Sequence, residues 1–365
     1  MKPNLSDARE QLSQAVTEFD PPPFDPINTT PWVAMSATQK ALRRGRKQTA
    51  LRAAATLLKL SPERLWRRLG CIAFEDIGAA DLETVALVTT ALAGKRFRES
   101  LGGEWHVASF LVCRMAHAAK CRAADDLLLT AEQHPAFAQA RTELASRGTD
   151  DLITIATGAD PLPVRALALW YALGTNRRPS PQLQPRRGDP AAAFDGLRDA
   201  GISEGVVEVS QEGFRKTSEV LAPFVALLHP LCQTQSELTT DDDALPPETM
   251  IGDIPGWSLD LYSRDGRAAL AAFISGTTET ARWVRDNIPP RQHVGFLGGI
   301  AFRVEGGLVR SRLRWPTGDQ LRRLVDLECN GPHCLDATEV LDLMRADIPE
   351  LNRVRAGVLG RVDND

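Results

Sequence analysis

The most concentrated chemistry in this chain is positive charge. Between positions 40 and 68 the sequence carries ten lysine and arginine residues and a single acid, Glu63, although the net charge of the whole chain is only −4. Clustered cations bind phosphate groups without regard to base sequence, so the block is a candidate nucleic-acid surface. Alternatively, these side chains are solvated or pair with acids from elsewhere in the fold. The candidate contact residues are Lys40, Arg43, Arg44, Arg46, Lys47, Arg64, Arg67 and Arg68.

A second polar cluster lies much later in the chain. It combines two aromatic side chains with acids and arginines, a mixture that suits a catalytic pocket or a recognition surface. The simpler alternative is a helix N-terminus capped by Ser263 or Asp265. The candidate residues are Trp257, Asp260, Tyr262, Arg264, Asp265 and Arg267.

Cysteine and histidine spacing does not predict a metal site. Cys113, His117 and Cys121 follow an i, i+4, i+8 ladder, and segment 329–334 places two cysteines and His333 in one turn. The ladder lies on an alanine-rich helix, where such residues are typical of packing. The turn lacks the second pair that a tetrahedral zinc site needs. We therefore expect no metal and no cofactor.

The stretch 61–78 has the pattern of a helix with a defined start and end. Ser61 suits the N-cap and Gly78 suits the end. Helical periodicity turns Asp76 toward the apolar side, and a buried carboxylate must be paired or hydrogen-bonded. We therefore expect Asp76 to meet an arginine or to cap neighbouring backbone. A catalytic pair with Glu75 is not expected, because adjacent helical residues point about 100° apart. Glu75, Asp76 and Gly78 are thus interpreted as a structural motif.

Length and composition suit a globular protein of two domains. The chain has 365 residues, of which 43% are hydrophobic and 25% charged, as in ordinary globular proteins. No apolar run reaches the length of a membrane span, and the chain does not open with an apolar signal segment. Several of the six cysteines lie in apolar helical contexts, which favours a cytoplasmic protein with free thiols.

The pattern of elements predicts a mainly α-helical fold. We interpret residues 1–35 as a tether or arm and residues 36–175 as a domain of antiparallel helices. A proline- and arginine-rich segment, 176–190, reads as a linker. Residues 191–365 then form a second, mainly helical domain of unknown role. Alternation around a glycine pair predicts at most a small β-hairpin, at residues 302–313.

The first helical domain also resembles a known family, over roughly residues 38–130. The similarity is to the C-terminal region of the replication-associated recombination ATPases, the bacterial relatives of the Werner-helicase-interacting protein. It rests on Arg44-Gly45 with Ala50, Leu51 and Ala54, on Arg67-Arg68-Leu69, on Ala73-Phe74-Glu75-Asp76-Ile77-Gly78, and more weakly on Gly103-Glu104. The resemblance implies a helical domain like the clamp-loader collar, which in relatives holds subunits together near DNA. The sequence contains no G-x-x-x-x-G-K-[ST] loop, so ATP hydrolysis is not expected.

Together these patterns favour a non-enzymatic scaffold or oligomerisation protein of DNA replication or repair, which contacts nucleic acid through its basic helical block. The expected partners are a second copy of the chain or a replication-repair protein, together with DNA, and no membrane. One alternative hypothesis is an enzyme of unknown reaction with its site around residues 260–267. Another is a mobile-element or defence protein that engages a host replication ATPase.

Overall fold

The computed structural model describes residues 4–235, 238–328 and 337–362. Within these residues the chain forms nineteen α-helices, four strands of two or three residues, and short 3₁₀ and π segments. The prediction of a mainly α-helical protein with a small β-hairpin is confirmed. No helix in this described part is long and apolar enough to cross a membrane.

The N-terminal segment begins with helix α1 (Leu5–Glu18), capped by the Asn4 side chain. One face of α1, centred on the fully buried Leu12, packs into the main core of the protein. The proline-rich chain that follows lies on the body, where Trp105 Nε1 donates a hydrogen bond of 2.8 Å to the Pro22 carbonyl. In the segment interpreted as a tether or arm, helix α1 packs into the core and the proline-rich chain after it lies against the body.

Ten further helices build the body around the main core. Asp81 begins α5 by accepting a hydrogen bond from the Thr84 backbone N–H, because aspartate is a good N-cap residue. The helix bounds are α2 (Pro31–Arg43), α3 (Lys47–Leu60), α4 (Pro62–Ile72), α5 (Leu82–Ala91), α6 (Lys95–Ser100), α7 (Glu104–His117), α8 (Ala123–Gln133), α9 (Ala138–Ala145), α10 (Thr149–Thr157) and α11 (Leu162–Leu173).

The stretch that resembles the ATPase family ends as its sequence predicts. After α4 the chain continues as a π-helix (Ala73–Ile77), and Gly78 stops it with a φ of +49°. A Cβ at Gly78 would stand 2.9 Å from the Cys121 carbonyl oxygen. Both the left-handed backbone and this close approach therefore require glycine. At the same place the Cys121 N–H donates to the Asp76 carbonyl at 2.9 Å, which ties the turn to the start of α8.

Three helices beyond residue 189 pack onto the same core. They are α12 (Pro190–Asp199), α13 (Glu204–Thr217) and α14 (Leu221–Gln233). Their aromatic side chains Phe194, Phe214 and Phe224 are buried in it. The preceding segment is held by backbone contacts, including the Asn176 N–H on the Arg186 carbonyl at 3.2 Å. The main core therefore extends across the segment that the sequence suggests as a linker.

The C-terminal part builds a smaller core of its own. That core is made chiefly by α15 (Arg264–Ile274), α16 (Glu279–Asn287), α17 (His293–Ala301) and α19 (Ala337–Val362). Helix α18 (Pro316–Glu328) packs instead on α8 of the body. Strand β1 (Thr239–Asp241) pairs antiparallel with β4 (Arg312–Arg314), and β2 (Met250–Ile251) forms a tight hairpin with β3 (Ile254–Pro255).

The hairpin predicted at residues 302–313 is wrong in its position. A π-helix (Phe302–Gly306) extends α17, and only the last residues of the segment are extended, in β4, where they pair with the distant β1. The glycine pair has a different role from a turn. A Cβ at Gly307 would lie 2.7 Å from the Phe302 ring, so the glycines make room for that ring.

Candidate functional site

Asp76 is the centre of a buried ion network between α2, the π-helix after α4, and α8. Its side chain is 0% exposed. Oδ1 accepts hydrogen bonds from Arg43 Nε at 2.7 Å and from Arg122 Nη1, and Oδ2 accepts from Gln39 Nε2 at 3.0 Å. The prediction that Asp76 meets an arginine is confirmed, with two arginines in place of one.

Glu75 completes this network from its more exposed side. It accepts from Arg43 Nη2 at 2.5 Å and from Arg122 Nη1 at 3.2 Å. Burial alone would raise the pKa of Glu75, but the cations of Arg43, Arg122 and Arg68 outweigh burial and lower the pKa from 4.5 to about 2. Glu75 is thus ionised at neutral pH and paired with Arg43 and Arg122. These properties suit a structural ion pair and not a general acid.

The start of α8 adds two carboxyl groups whose pKa values are raised, in contrast to that of Glu75. Burial raises the pKa of Asp125 to about 6 and that of Asp126 to about 7, although the Arg122 cation opposes both shifts. Asp125 pairs with Arg122. Asp126 lines a cavity of about 20 Å³ together with Phe302 and Arg322, a space of the order of one water molecule.

The cations of α2 also attach the C-terminal part to the body. Lys40 Nζ donates to Asp260 Oδ2 and to the Trp257 carbonyl, both at 2.7 Å. One turn later, Arg44 Nη2 donates to the Glu305 carbonyl at 2.6 Å. Burial lowers the pKa of Lys40 from 10.5 to about 8 in spite of its pairing with Asp260. A buried charge pair of this kind fixes how two parts of a fold meet, because each partner is costly to leave alone.

The predicted nucleic-acid surface is therefore wrong for three of its eight residues. Lys40, Arg43 and Arg44 are 5%, 2% and 4% exposed, and their charges are directed to acids and carbonyls of the fold. A nucleic acid has no access to them. The alternative interpretation, pairing with acids from elsewhere in the chain, is confirmed for Lys40 and Arg43.

The other predicted cations lie at the start of α3 and on α4. Arg46, Lys47, Arg64 and Arg67 are exposed and Arg68 is half-buried. The guanidinium of Arg64 lies 5.1 Å from the ring centre of Trp32. Arg68 Nη1 donates to Gln39 Oε1 at 3.1 Å, which aligns α4 along α2.

An exposed face with aromatic and cationic side chains results, which we call the α2 face. Trp32 is 51% exposed and Tyr262 is 78% exposed. Tyr262 is placed there because its N–H donates to Asp260 Oδ1 at 2.9 Å, while Ser36 Oγ of α2 donates to Asp260 Oδ2 at 2.7 Å. Ser36 lies one helical turn from Trp32. The α2 face comprises Trp32, Met35, Ser36, Arg64, Arg67, Arg68 and Tyr262.

The second predicted cluster is divided by the fold. Trp257 is buried and Asp260 is half-buried against Lys40, whereas Tyr262, Arg264 and Arg267 are exposed and Asp265 is half-buried. Ser263 caps α15 by accepting from the Gly266 N–H at 3.0 Å. The simpler alternative, a capped helix N-terminus, is confirmed. The six residues do not converge on one site.

Sequence reasoning missed the residues that complete these networks. Arg122, Phe302 and Glu305 were not singled out, nor was the pair of Asp243 with Arg312, whose Nη2–Oδ2 distance is 2.7 Å. Phe302 stands 5.2 Å from the Arg43 guanidinium and 5.3 Å from that of Arg122. The glycine pair after Phe302 was the available signal, because it marks a position where a bulky group approaches the backbone.

Within the described residues, no group of three or more His, Cys, Asp or Glu side chains is placed to hold a metal ion. The 329–334 segment, with Cys329, His333 and Cys334, lies outside the described residues.

Comparison with known proteins adds no assignment. No family profile, no curated protein and no solved structure matches the chain, so the family resemblance stays a prediction.

Proposed function

We propose that this protein is a non-enzymatic scaffold of DNA replication or repair that holds single-stranded nucleic acid on the α2 face. The observation that carries the proposal is the exposure of Trp32 beside Arg64 of α4, together with the exposure of Tyr262 beside Asp260, which Ser36 of α2 binds. Exposed apolar surface that is rimmed by polar and charged side chains is typical of an interaction site. Exposed rings stack on bases, and neighbouring arginines neutralise phosphates.

Helical spacing favours a continuous contact. Arg64, Arg67 and Arg68 lie at i, i+3 and i+4 of α4 and so share one side of that helix. Arg64 already lies over the Trp32 ring, a cation–π contact that holds a cation and an exposed ring together. Tyr262 is fixed next to Ser36 of α2 because both bind Asp260. A single strand that crosses the face would meet cations as well as exposed rings.

Fluorescence anisotropy with a labelled oligothymidylate tests the proposal. We expect Trp32→Ala to weaken binding by about five-fold or more, since base stacking contributes about 1–3 kcal/mol. Arg64→Glu with Arg67→Glu should weaken it further and reduce its dependence on salt. The matched control is Arg147→Glu, an exposed arginine after α9. Wild-type affinity in the Trp32 and Arg64/Arg67 variants would overturn the proposal.

A homo-oligomer or a replication-repair protein as partner is part of the same proposal, and so is a cytoplasmic location. The cysteines Cys71, Cys113, Cys121 and Cys232 are free thiols, which suits a reducing compartment. Light scattering with and without the oligonucleotide measures the oligomeric state. A monomer in both conditions would remove the oligomer from the proposal and leave binding untouched.

The two alternative functions stay predictions. An enzyme with its site around residues 260–267 would have to work with an Asp260 that is already bound by Lys40 and Ser36. A mobile-element or defence protein would bind a purified host replication ATPase. Surface plasmon resonance with that ATPase would distinguish it from the scaffold.

A further inference from the structure

We propose that a cleft on the side of the body formed by α1, α5 and α14 binds a small aliphatic amine in its cationic form. The cleft has a volume of about 630 Å³, within the range of ligand sites in proteins. The 3₁₀ turn Gly78–Ala80 and the start of α5 line one side, and α1 and the end of α14 line others. None of the α2 face residues lines it, so this site goes beyond the proposed function and does not rest on it.

The charge of the lining selects a cation. Three carboxylates, Asp7, Asp81 and Glu83, line the cleft, and its described lining contains no lysine or arginine. Outside the cleft, Arg114 on α7 pairs with two of these acids, since its Nη2 lies 3.2 Å from Glu83 and 3.9 Å from Asp81, and the buried Lys120 also interacts with Asp81. The described lining itself carries three acids and no cation, which makes the cleft negative. An anionic ligand would be repelled from it.

The polar groups are held in place before any ligand enters. Asp81 accepts from the Thr84 N–H at 3.0 Å because it caps α5. Asp7 accepts from the Asn4 side-chain amide at 2.9 Å. Carboxylates fixed in this way lose little rotamer freedom on binding, which favours affinity for a small ligand.

His229 adds a polar group that the fold does not use. In the part of the chain that the structure describes, its imidazole has no hydrogen bond or ion pair. Burial lowers the pKa of His229, so the ring is neutral at pH 7 and can accept a hydrogen bond from an ammonium group. The charged groups near it in the cleft are the carboxylates of α1 and α5.

The remaining lining suits an alkyl chain. Ala8, Ala79, Leu82 and Val206 present apolar surface between the carboxylates. An aliphatic amine matches this mixture, because its methylene groups can lie on the apolar wall while its ammonium groups meet the acids. A bare inorganic cation would leave that wall without a partner.

Isothermal titration calorimetry of the full chain with 1,4-diaminobutane tests the site. The uncharged 1-butanol and the anion butyrate serve as probes of the same length. We expect binding of the diamine only, weakened about five-fold by Asp81→Asn and by Asp7→Asn, as for the loss of one partly exposed charge pair. Asparagine caps helices as well as aspartate does, so Asp81→Asn should fold. The matched control is Glu10→Gln, an exposed acid of α1 outside the cleft.

Three results would overturn the proposal. These are no heat of binding with millimolar diamine, equal affinity of Asp81→Asn, Asp7→Asn and wild type, or equal binding of 1-butanol. His229→Arg supplies a second readout that does not depend on removing acids. The added positive charge should abolish diamine binding, and unchanged binding in that variant would place the amine elsewhere.

Discussion

Replacing Asp76 by asparagine tests whether the buried ion network between α2, the π-helix and α8 stabilises the fold. Asp76→Asn keeps the size of the side chain and removes one negative charge at a position with 0% exposure. Arg43 and Arg122 would then share only Glu75 and Asp125. The new amide nitrogen would also face donors where the wild type presents an acceptor.

The size of the effect follows from two opposing contributions. At an effective dielectric constant of about 20, each cation about 4 Å from the carboxylate contributes about 4 kcal/mol, so two arginines contribute roughly 8 kcal/mol before solvation is considered. Burying the carboxylate costs several kcal/mol in lost hydration. The net expectation is a loss of about 3–5 kcal/mol in the free energy of unfolding, as found when one partner of a buried ion pair is removed.

Urea denaturation followed by far-ultraviolet circular dichroism measures this loss. The matched control is Glu99→Gln, since Glu99 is 55% exposed and its pair with Lys95 is 3.6 Å long. An exposed pair of this kind should change the free energy of unfolding by less than about 1 kcal/mol. If Asp76→Asn also stays within about 1 kcal/mol of wild type, the network does not stabilise the fold and the reasoning fails.

Three further predictions concern neighbouring groups. The folded-state pKa of Asp126 is raised from 3.8 to about 7, so its contribution is full below pH 4 or so and is lost as pH rises toward about 7. Asp126→Asn should therefore raise the melting temperature relative to wild type at alkaline pH and leave it nearly unchanged near pH 4; no difference at either pH would contradict this sign. Gly78→Ala should lower the free energy of unfolding by about 1–3 kcal/mol in urea titrations, because alanine must adopt a positive φ against a backbone oxygen; a neutral result would mean that the turn relaxes freely. Lys40→Met should speed amide hydrogen exchange in α15 and α19 more than in α7, since it removes the link to Asp260; uniform exchange across these helices would show that Lys40 does not attach the C-terminal part.

Local signals in the sequence were sufficient to predict where some helices begin or end. They were not sufficient to predict which side chains pair across the fold. Ser263 and Gly78 act on backbone within a few residues, so their types predict the start of α15 and the end of the stretch at 61–78. The partners of Asp76 lie 33 and 46 positions away, at Arg43 and Arg122. Only packing in three dimensions brings them together.

The same limit explains why some cations of the basic block, predicted to lie at the surface, are buried. Lys40 and Lys47 look alike in the sequence, yet one is buried and the other exposed. The difference arises because the acids that neutralise Lys40 belong to a part of the chain more than 200 positions later. Composition shows that cations are clustered. It does not show which of them form buried ion pairs with acids from other parts of the chain.

The attachment through α2 has a practical consequence for work with fragments. A fragment that stops before residue 239 would lack Asp260 and Glu305, and so would leave Lys40 and Arg44 without their acceptors. Such a fragment would present new positive charge at the surface and would retain nucleic acid through cations that the intact protein keeps inside. Binding measured on an isolated N-terminal fragment would therefore add contacts created by truncation to those of the α2 face.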